Sequence, residues 1–135
     1  MKKILITGAN GSLGQKLVSL LSQQQDVNLL STAKGICRFS LPDNVAYRTL
    51  DITNADACKN LFNEFQPDAL IHAAAMTQVD ACEDEREMCD LINITGVSNL
   101  IKAIGNRNTH FVHISTDFIY EGDEEEYFED SKVNP

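Results

Sequence analysis

The feature that most constrains the fold is a glycine-rich segment close to the N-terminus, with glycines at positions 8, 11 and 14. A short apolar run at residues 2–7 precedes this segment and predicts a β-strand. Leucines recur at helical spacing from residue 13 onward and predict a helix that begins near Ser12. In such a strand–turn–helix unit, the backbone N–H groups at the start of the helix can bind a phosphate group. The segment therefore predicts a dinucleotide-binding turn.

The rest of the chain alternates between strand and helix patterns. Further strands are predicted at 27–31, 45–50, 68–74 and 111–115, and a loop at 35–44. Thr53 or Asn54 is expected to cap a helix that ends before Pro67, and a long helix is expected from about 83 to 104, ending at Gly105. This alternation predicts an α/β fold, a doubly wound parallel sheet of the Rossmann type with about five strands. We expect residues 1–120 to form that domain and residues 121–135 to form an acidic loop.

Composition excludes several classes of function. The chain has 11 basic and 20 acidic residues, and the segment 121–130 carries seven of those acids. Nucleic-acid binding needs a basic face, so we expect no nucleic-acid partner. No apolar run approaches the roughly 20 residues of a bilayer span, so we expect no membrane association. The four cysteines form no C-x-x-C pair and predict reduced thiols in a cytoplasmic protein, without a metal site.

The spacing of the three glycines suggests a separate role for each. Gly8 would permit the tight turn, Gly11 would let the backbone approach a pyrophosphate, and Gly14 would allow close packing of helix on strand. A tight turn without a ligand is the alternative interpretation. A flavodoxin-like flavin site is disfavoured because its phosphate loop lacks this glycine spacing. The predicted cofactor contacts in this loop are Gly8, Asn10, Gly11, Ser12, Leu13 and Gly14.

The end of the second strand bears on the choice of dinucleotide. It lacks the carboxylate that bonds the ribose 2′-hydroxyl of NAD(H), whereas Lys34 and Arg38 follow closely and could neutralise a 2′-phosphate. NADP(H) is therefore favoured over NAD(H), although both cations could instead be solvated loop residues. Asp51 is expected to accept a hydrogen bond from the adenine amino group, or alternatively to cap the following helix. The predicted cofactor contacts here are Ser31, Thr32, Lys34, Asp51 and Ile52.

Several segments together resemble the extended short-chain dehydrogenases/reductases. They are the glycine loop, the sequence DIT at 51–53, HAAAMTQVDACE at 72–83 and VHISTDFIYEG at 112–122. Within that family they are most similar to the dTDP-4-dehydrorhamnose reductases, which reduce the 4-keto group of a nucleotide sugar during dTDP-L-rhamnose synthesis. The resemblance implies a dTDP-4-dehydro-6-deoxy sugar as substrate. The alternative is a non-catalytic nucleotide-binding regulatory subunit, because the regulatory subunit of methionine adenosyltransferase resembles the same reductases.

The resemblance implies a role for each matching residue. The alanines at 73–75 would lie beside the nicotinamide ribose, and Thr116, or alternatively Ser115, would hydrogen-bond the reacting sugar oxygen. Asn93 would brace the active site, although a solvent-facing or locally bonded asparagine fits the sequence as well. Met76 departs from the aromatic residue or histidine common at its position. The residues implied are Ala73, Ala74, Ala75, Thr77 and Ile114 for the cofactor, Thr116 as catalytic residue, and Thr116 and Asp117 for the substrate.

One expected element is missing from the sequence. The resembled family uses a tyrosine and a lysine spaced Tyr-x-x-x-Lys on one helix, where the lysine lowers the tyrosine pKa. Here Tyr127 and Lys132 are five residues apart, which separates them by about 140° around a helix. We therefore expect the chain to be the cofactor-binding half of a reductase, inactive alone. The apolar residues of the 83–104 helix cover more than one face, which suggests a homodimer or packing against the absent tyrosine helix.

Overall fold

The computed structural model describes residues 1–123 and 126–134, except for the side chain of Asp117. Its five strands form one parallel sheet in the order β3-β2-β1-β4-β5. The chain builds outward from β1 in one direction through β3 and then crosses to the other side of β1, so the predicted doubly wound sheet is confirmed. The strands are β1 (Lys2–Thr7), β2 (Val27–Ala33), β3 (Ala46–Thr49), β4 (Ala69–His72) and β5 (His110–His113).

Helices cover both faces of this sheet, and each face has its own apolar core. Helix α1 (Ser12–Leu21) packs on the face formed by Ile4, Ile6 and Leu29. Helix α2 (Ala55–Phe65) packs on the opposite face, where Leu5 and its neighbours on β2 and β4 point. Successive residues of a strand therefore pack into the cores on opposite faces of the sheet, which explains why the sequence of β1 is continuously apolar. None of the helices in the described part of the chain is long and apolar enough to cross a membrane.

The prediction of one long helix at 83–104 is only partly correct. The segment begins earlier, as α3 (Val79–Asp84), and is interrupted at Glu85, whose φ of −120° and ψ of 54° are not helical. Helix α4 (Arg86–Asp90) continues through a π-helical segment (Leu91–Gly96) into α5 (Val97–Ile104). Gly105 ends α5 with φ of 56°, as predicted. The interruption carries no glycine or proline that would have revealed it in the sequence.

The prediction that the cysteines are all reduced is wrong for two of them. Cys82 and Cys89 form a disulfide in the structure, with their Cα atoms 5.2 Å apart. Seven residues of uninterrupted α-helix would separate these atoms by about 10 Å, which no disulfide spans. The break at Glu85 folds α3 back toward α4 and brings the two cysteines together. Cys37 and Cys58 are free thiols, half-buried and buried respectively.

Candidate functional site

A cavity of about 360 Å³ opens at the carboxyl ends of β1, β2 and β4. This edge includes the gap between β1 and β4, where the strand order reverses, and open α/β sheets bind ligands at this point. The cavity collects residues from the glycine loop and from the loops that follow β2, β3 and β4. The predicted cofactor contacts that line it are Gly8, Asn10, Gly11, Lys34, Asp51, Ile52, Ala73, Ala74 and Ala75.

The glycine loop is packed so tightly that two of its glycines admit no side chain. Gly8 has φ of 77°, and a Cβ built on it would lie 2.5 Å from the backbone of Ala73 and Ala74. A Cβ on Gly14 would clash with the carbonyl oxygen of Gly8, so the predicted close contact of helix and strand is present. Gly11 is exposed, and a Cβ there would meet only the Gly8 oxygen, at 3.4 Å. The backbone at Gly11 is therefore accessible from the cavity.

Lys34 and Asp51 face each other across the cavity mouth. The Lys34 Nζ lies 2.9 Å from Asp51 Oδ2, and the Lys34 side chain is 72% exposed. Asp51 Oδ1 accepts hydrogen bonds from the Thr53 backbone N–H and hydroxyl. The bond from Lys34 is the main cause that lowers the pKa of the Asp51 carboxyl, which therefore stays ionised. Asn54, not Asp51, caps α2, because its side chain accepts the N–H of Ala57.

Two asparagines of the helical segment after β4 hold the loops on either side of the cavity. Asn93 accepts the backbone N–H of Met76 and donates to the Met76 carbonyl, both at 2.9 Å. It therefore braces the loop at 73–78 that follows β4, here called the alanine loop after its residues 73–75. Asn99 is buried and donates to the carbonyls of Ile52 and Thr53 at 3.0 and 3.1 Å. Sequence reasoning missed Asn99. The available signal was a polar residue on the apolar face of α5.

His72 is a buried histidine that the sequence analysis did not single out. It ends β4 with 1% exposure, and its Nδ1 lies 2.6 Å from the Thr7 hydroxyl oxygen. Its ring stacks on that of His113 with centroids 5.3 Å apart. Burial, and secondarily the charge of His113, lower the pKa of His72 to about 4, so the ring is neutral at pH 7. Thr7, its hydrogen-bond partner, lines the cavity.

Comparison with known proteins now places the chain in a family. The model of the RmlD substrate-binding domain matches residues 1–135. The chain belongs to the RmlD substrate-binding domain family. Its glycine loop, alanine loop and five-stranded sheet are thus features of an RmlD-family chain, and the resemblance to short-chain reductases inferred from the motifs is confirmed.

Three relatives of this RmlD-family chain illustrate the range of proteins that share the fold. A dTDP-4-dehydrorhamnose reductase of Aggregatibacter actinomycetemcomitans is 34% identical over 122 residues, covering 90% of this chain and 37% of the relative. The methionine adenosyltransferase 2 subunit beta of Xenopus tropicalis is 29% identical over 134 residues, covering 99% and 38%. The Bordetella bronchiseptica enzyme WbmH, solved in complex with NAD⁺, superposes with a TM-score of 0.85 at 25% identity, covering 100% and 46%. The chain therefore spans less than half the length of each of these proteins.

Some predicted site residues of the RmlD-family chain lie outside the cavity. Ser31 and Thr32 are fully buried, and their hydroxyls donate to the carbonyls of Ala46 and Ile6. Their side chains hold the sheet together and do not reach the cavity, because β2 continues to Ala33 and not only to residue 31 as predicted. Further predicted residues that do not line the cavity are Ser12, Leu13 and Gly14 in α1, Thr77 in the loop after β4, and Ile114 and Thr116 after β5.

Thr116 lies just beyond β5 and is exposed, and its Oγ1 accepts the N–H of Phe118 at 3.2 Å. The side chain of Asp117, the other predicted substrate contact, is outside the described residues. Conversely, the cavity includes four residues that the sequence did not indicate, together with Arg38, which was considered only as a possible partner of a 2′-phosphate. They are Thr7, Ala33, Arg38, Leu50 and Ile92.

Two further observations delimit the site. A depression of about 640 Å³ lies at the amino ends of the strands, around Lys2, Asp68 and His110, and no predicted site residue lines it. Across residues 1–123 and 126–134, no cluster of histidine, cysteine, aspartate or glutamate could hold a metal ion. The cavity at the carboxyl edge is therefore the candidate site.

Proposed function

We propose that this chain is the cofactor-binding half of an NADP(H)-dependent nucleotide-sugar reductase, of the dTDP-4-dehydrorhamnose reductase type. The observation that carries the proposal is the cavity at the carboxyl edge of the sheet, which brings the glycine loop, the Lys34–Asp51 pair and the alanine loop together. The 34% identity to a dTDP-4-dehydrorhamnose reductase supports the choice of substrate class.

The residues fit a dinucleotide that extends across this edge. Backbone N–H groups at the start of α1, beside the exposed Gly11, suit a pyrophosphate. The Asp51 carboxylate suits the adenine amino group, and the small side chains of Ala73 and Ala74 leave room for the nicotinamide ribose. When bound, the cofactor would supply the hydride that reduces the sugar. The protein residues would bind and orient it while Asn93 and Asn99 hold the two flanking loops in place.

The preference for NADP(H) follows from the cations at the end of β2. In the Lys34–Asp51 ion pair the Lys34 side chain is 72% exposed, and pairs at the surface contribute at most about 1 kcal/mol. Lys34 can therefore exchange this partner for a 2′-phosphate at little cost. Arg38 lines the same cavity and adds a second positive charge. No carboxylate follows β2 to accept the 2′-hydroxyl of NAD(H).

The substrate would bind beyond β5, where Thr116 is exposed. Its hydroxyl is proposed to hydrogen-bond the sugar oxygen that gains the proton, with Asp117 beside it. The proton donor itself is proposed to lie in the remainder of the full-length protein. Each of the tyrosines in these 135 residues, at positions 47, 120 and 127, has an acid or serine four residues later. The chain alone would thus bind cofactor and transfer no hydride.

The test is an absorbance assay of the full-length protein with NADPH and a dTDP-4-dehydro-6-deoxy sugar. Consumption of NADPH is expected for the full-length protein and not for residues 1–135. Thr116→Val should lower kcat about 10- to 1000-fold, whereas Thr116→Ser should retain most of the activity. A full-length protein that folds and binds NADPH but reduces no such sugar would refute the proposed reductase function.

The second candidate is a non-catalytic nucleotide-binding regulatory subunit. The 29% identity over 99% of this chain to a methionine adenosyltransferase 2 subunit beta favours it. Such a protein would bind the dinucleotide in the same cavity and consume none. Measurement of binding and turnover on one sample therefore separates the two candidates.

Self-association through the helical segment 83–104 is also proposed. Leu91, Ile94 and Ile101 recur at helical spacing, and their side chains are 38%, 63% and 53% exposed. A second copy or the proposed tyrosine helix could cover them. In sedimentation velocity experiments, Ile94→Glu with Ile101→Glu should shift a dimer to monomer. Leu20→Glu, at an exposed leucine of α1, is the control and should leave the dimer intact.

A further inference from the structure

The loop that follows β2 is held by hydrogen bonds from two other parts of the fold. The Tyr47 hydroxyl and the Thr49 hydroxyl, both on β3, donate to the Gly35 carbonyl at 2.9 Å each. The Asn10 amide of the glycine loop donates to the Ile36 carbonyl, and its oxygen accepts the Arg38 N–H, both at 2.9 Å. We call these hydrogen bonds the loop 35–38 clasp.

The two halves of the clasp are joined to each other. The Asn10 Nδ2 lies 3.4 Å from the Tyr47 hydroxyl oxygen, so the glycine loop and β3 hold the 35–38 loop as one network. The raised pKa of Tyr47, caused mainly by burial, keeps this hydroxyl protonated and able to donate. Tyr47 therefore contacts both the loop it holds and the residue that holds the loop from the other side.

Apolar packing contributes little to the position of this loop. Ile36, at its centre, is 79% exposed, and no atom lies within 4 Å of the place where a Cβ on Gly35 would stand. Gly35 also has φ of 82°, which a short turn needs but which does not fix the turn's direction. The clasp bonds, which run from side chains to the backbone of the loop, thus restrain the backbone between Lys34 and Arg38.

We propose that Tyr47, acting with Asn10, is a positioning residue that sets the selectivity of the site for a 2′-phosphorylated cofactor. It fixes the backbone between Lys34 and Arg38, the two cations that line the cavity. Two cations held in advance bind a phosphate more tightly than two cations on a flexible loop, because less freedom is lost on binding. This inference rests on the proposed dinucleotide-binding function.

The experiment compares dissociation constants of NADPH and NADH for full-length protein carrying Tyr47→Phe, Lys34→Gln or both. Tyr47→Phe removes one hydroxyl and should raise the Kd of NADPH about three- to tenfold, the effect of one hydrogen bond. The Kd of NADH should change less than twofold. In the Lys34→Gln background, Tyr47→Phe should have a smaller effect on NADPH than in the wild type. Tyr127→Phe, which removes a hydroxyl bonded to Asp123, is the matched control and should change neither constant.

The outcomes separate the inference from the proposed function. If wild-type protein binds neither dinucleotide, the proposed function fails. If Lys34→Gln weakens NADPH selectively but Tyr47→Phe weakens both dinucleotides equally, Tyr47 merely supports the fold and the positioning role is refuted. No effect of Tyr47→Phe on either constant refutes it as well. The same titration with 2′,5′-ADP and 5′-AMP should reproduce the selectivity, since the 2′-phosphate is the group concerned.

Discussion

His72 should make the stability of this domain depend on pH. The ring is 1% exposed and ends β4 between Thr7 and His113. Burial and the charge of His113 lower its pKa to about 4 in the folded protein. In the unfolded chain a histidine titrates near 6.5. As the pH falls below about 6.5, the unfolded chain therefore gains a proton that the folded chain does not accept until about pH 4.

The size of the effect follows from the gap between the two pKa values. A gap from about 6.5 to about 4 corresponds to about 3 kcal/mol of unfolding free energy, at 1.36 kcal/mol for each pH unit. This contribution is fully present above about pH 6.5 and is lost as the pH falls toward about 4. About 1.4 kcal/mol of it should already be lost at pH 5.5.

Urea denaturation of wild type and His72→Asn at pH 7.5, 6.5, 5.5 and 4.5 measures this contribution. Asparagine places an amide atom near the position of Nδ1 and does not titrate, so the difference between the two proteins isolates the histidine. The wild type should lose about 2.5 kcal/mol relative to the variant across this range. His110→Asn, at an exposed histidine of β5, should follow the wild-type pH dependence. A difference between wild type and His72→Asn that stays constant with pH would refute the reasoning.

Three further predictions concern the site and its supports. Gly8→Ala should lower the unfolding free energy by at least about 2 kcal/mol and weaken NADPH binding, whereas Gly122→Ala, at a similar φ but in open space, should cost about 1 kcal/mol. Asn99→Ala should cost about 1–3 kcal/mol in urea denaturation, because it removes the amide donor of the buried Ile52 carbonyl and leaves only the weaker Cys58 thiol as its partner; an unchanged midpoint would contradict this. Reduction of Cys82–Cys89 should lower stability by about 2 kcal/mol, and Cys82→Ser should abolish the response to reductant.

Much of the fold was predictable because its determinants are local. The first strand was predicted with the observed bounds, since an apolar run that meets a glycine turn admits few other structures. Asn54 caps the start of α2 and Gly105 ends α5, each through contacts within a few residues of itself, which spacing along the chain reveals. The parallel sheet follows from the alternation of strands and helices, together with the handedness of the connections between them.

The features that were missed depend on contacts between distant residues. The Lys34–Asp51 pair joins two loops, and the buried bonds of Asn99 reach residues 46 and 47 positions away. The break at Glu85, and with it the disulfide, carries no local breaker residue. The end of β2 was predicted two residues too early, and Ser31 and Thr32, predicted as cofactor contacts, bond within the sheet through their hydroxyls. The interrupted helix and the end of β2 are errors in element bounds, whereas the ion pair and the bonds of Asn99 concern tertiary position.

Asn93 and Asn99 belong to one continuous helical segment, Leu91–Ile104, and each is bonded to a different loop of the cavity. Asn99 follows Asn93 by six positions, which correspond to about 9 Å along an α-helix axis. The distance between the loop after β3 and the loop after β4 is thus set by the number of helical residues that separate the two asparagines. A single insertion or deletion between 93 and 99 would rotate one amide away from its loop, although no residue that lines the mouth of the cavity had changed.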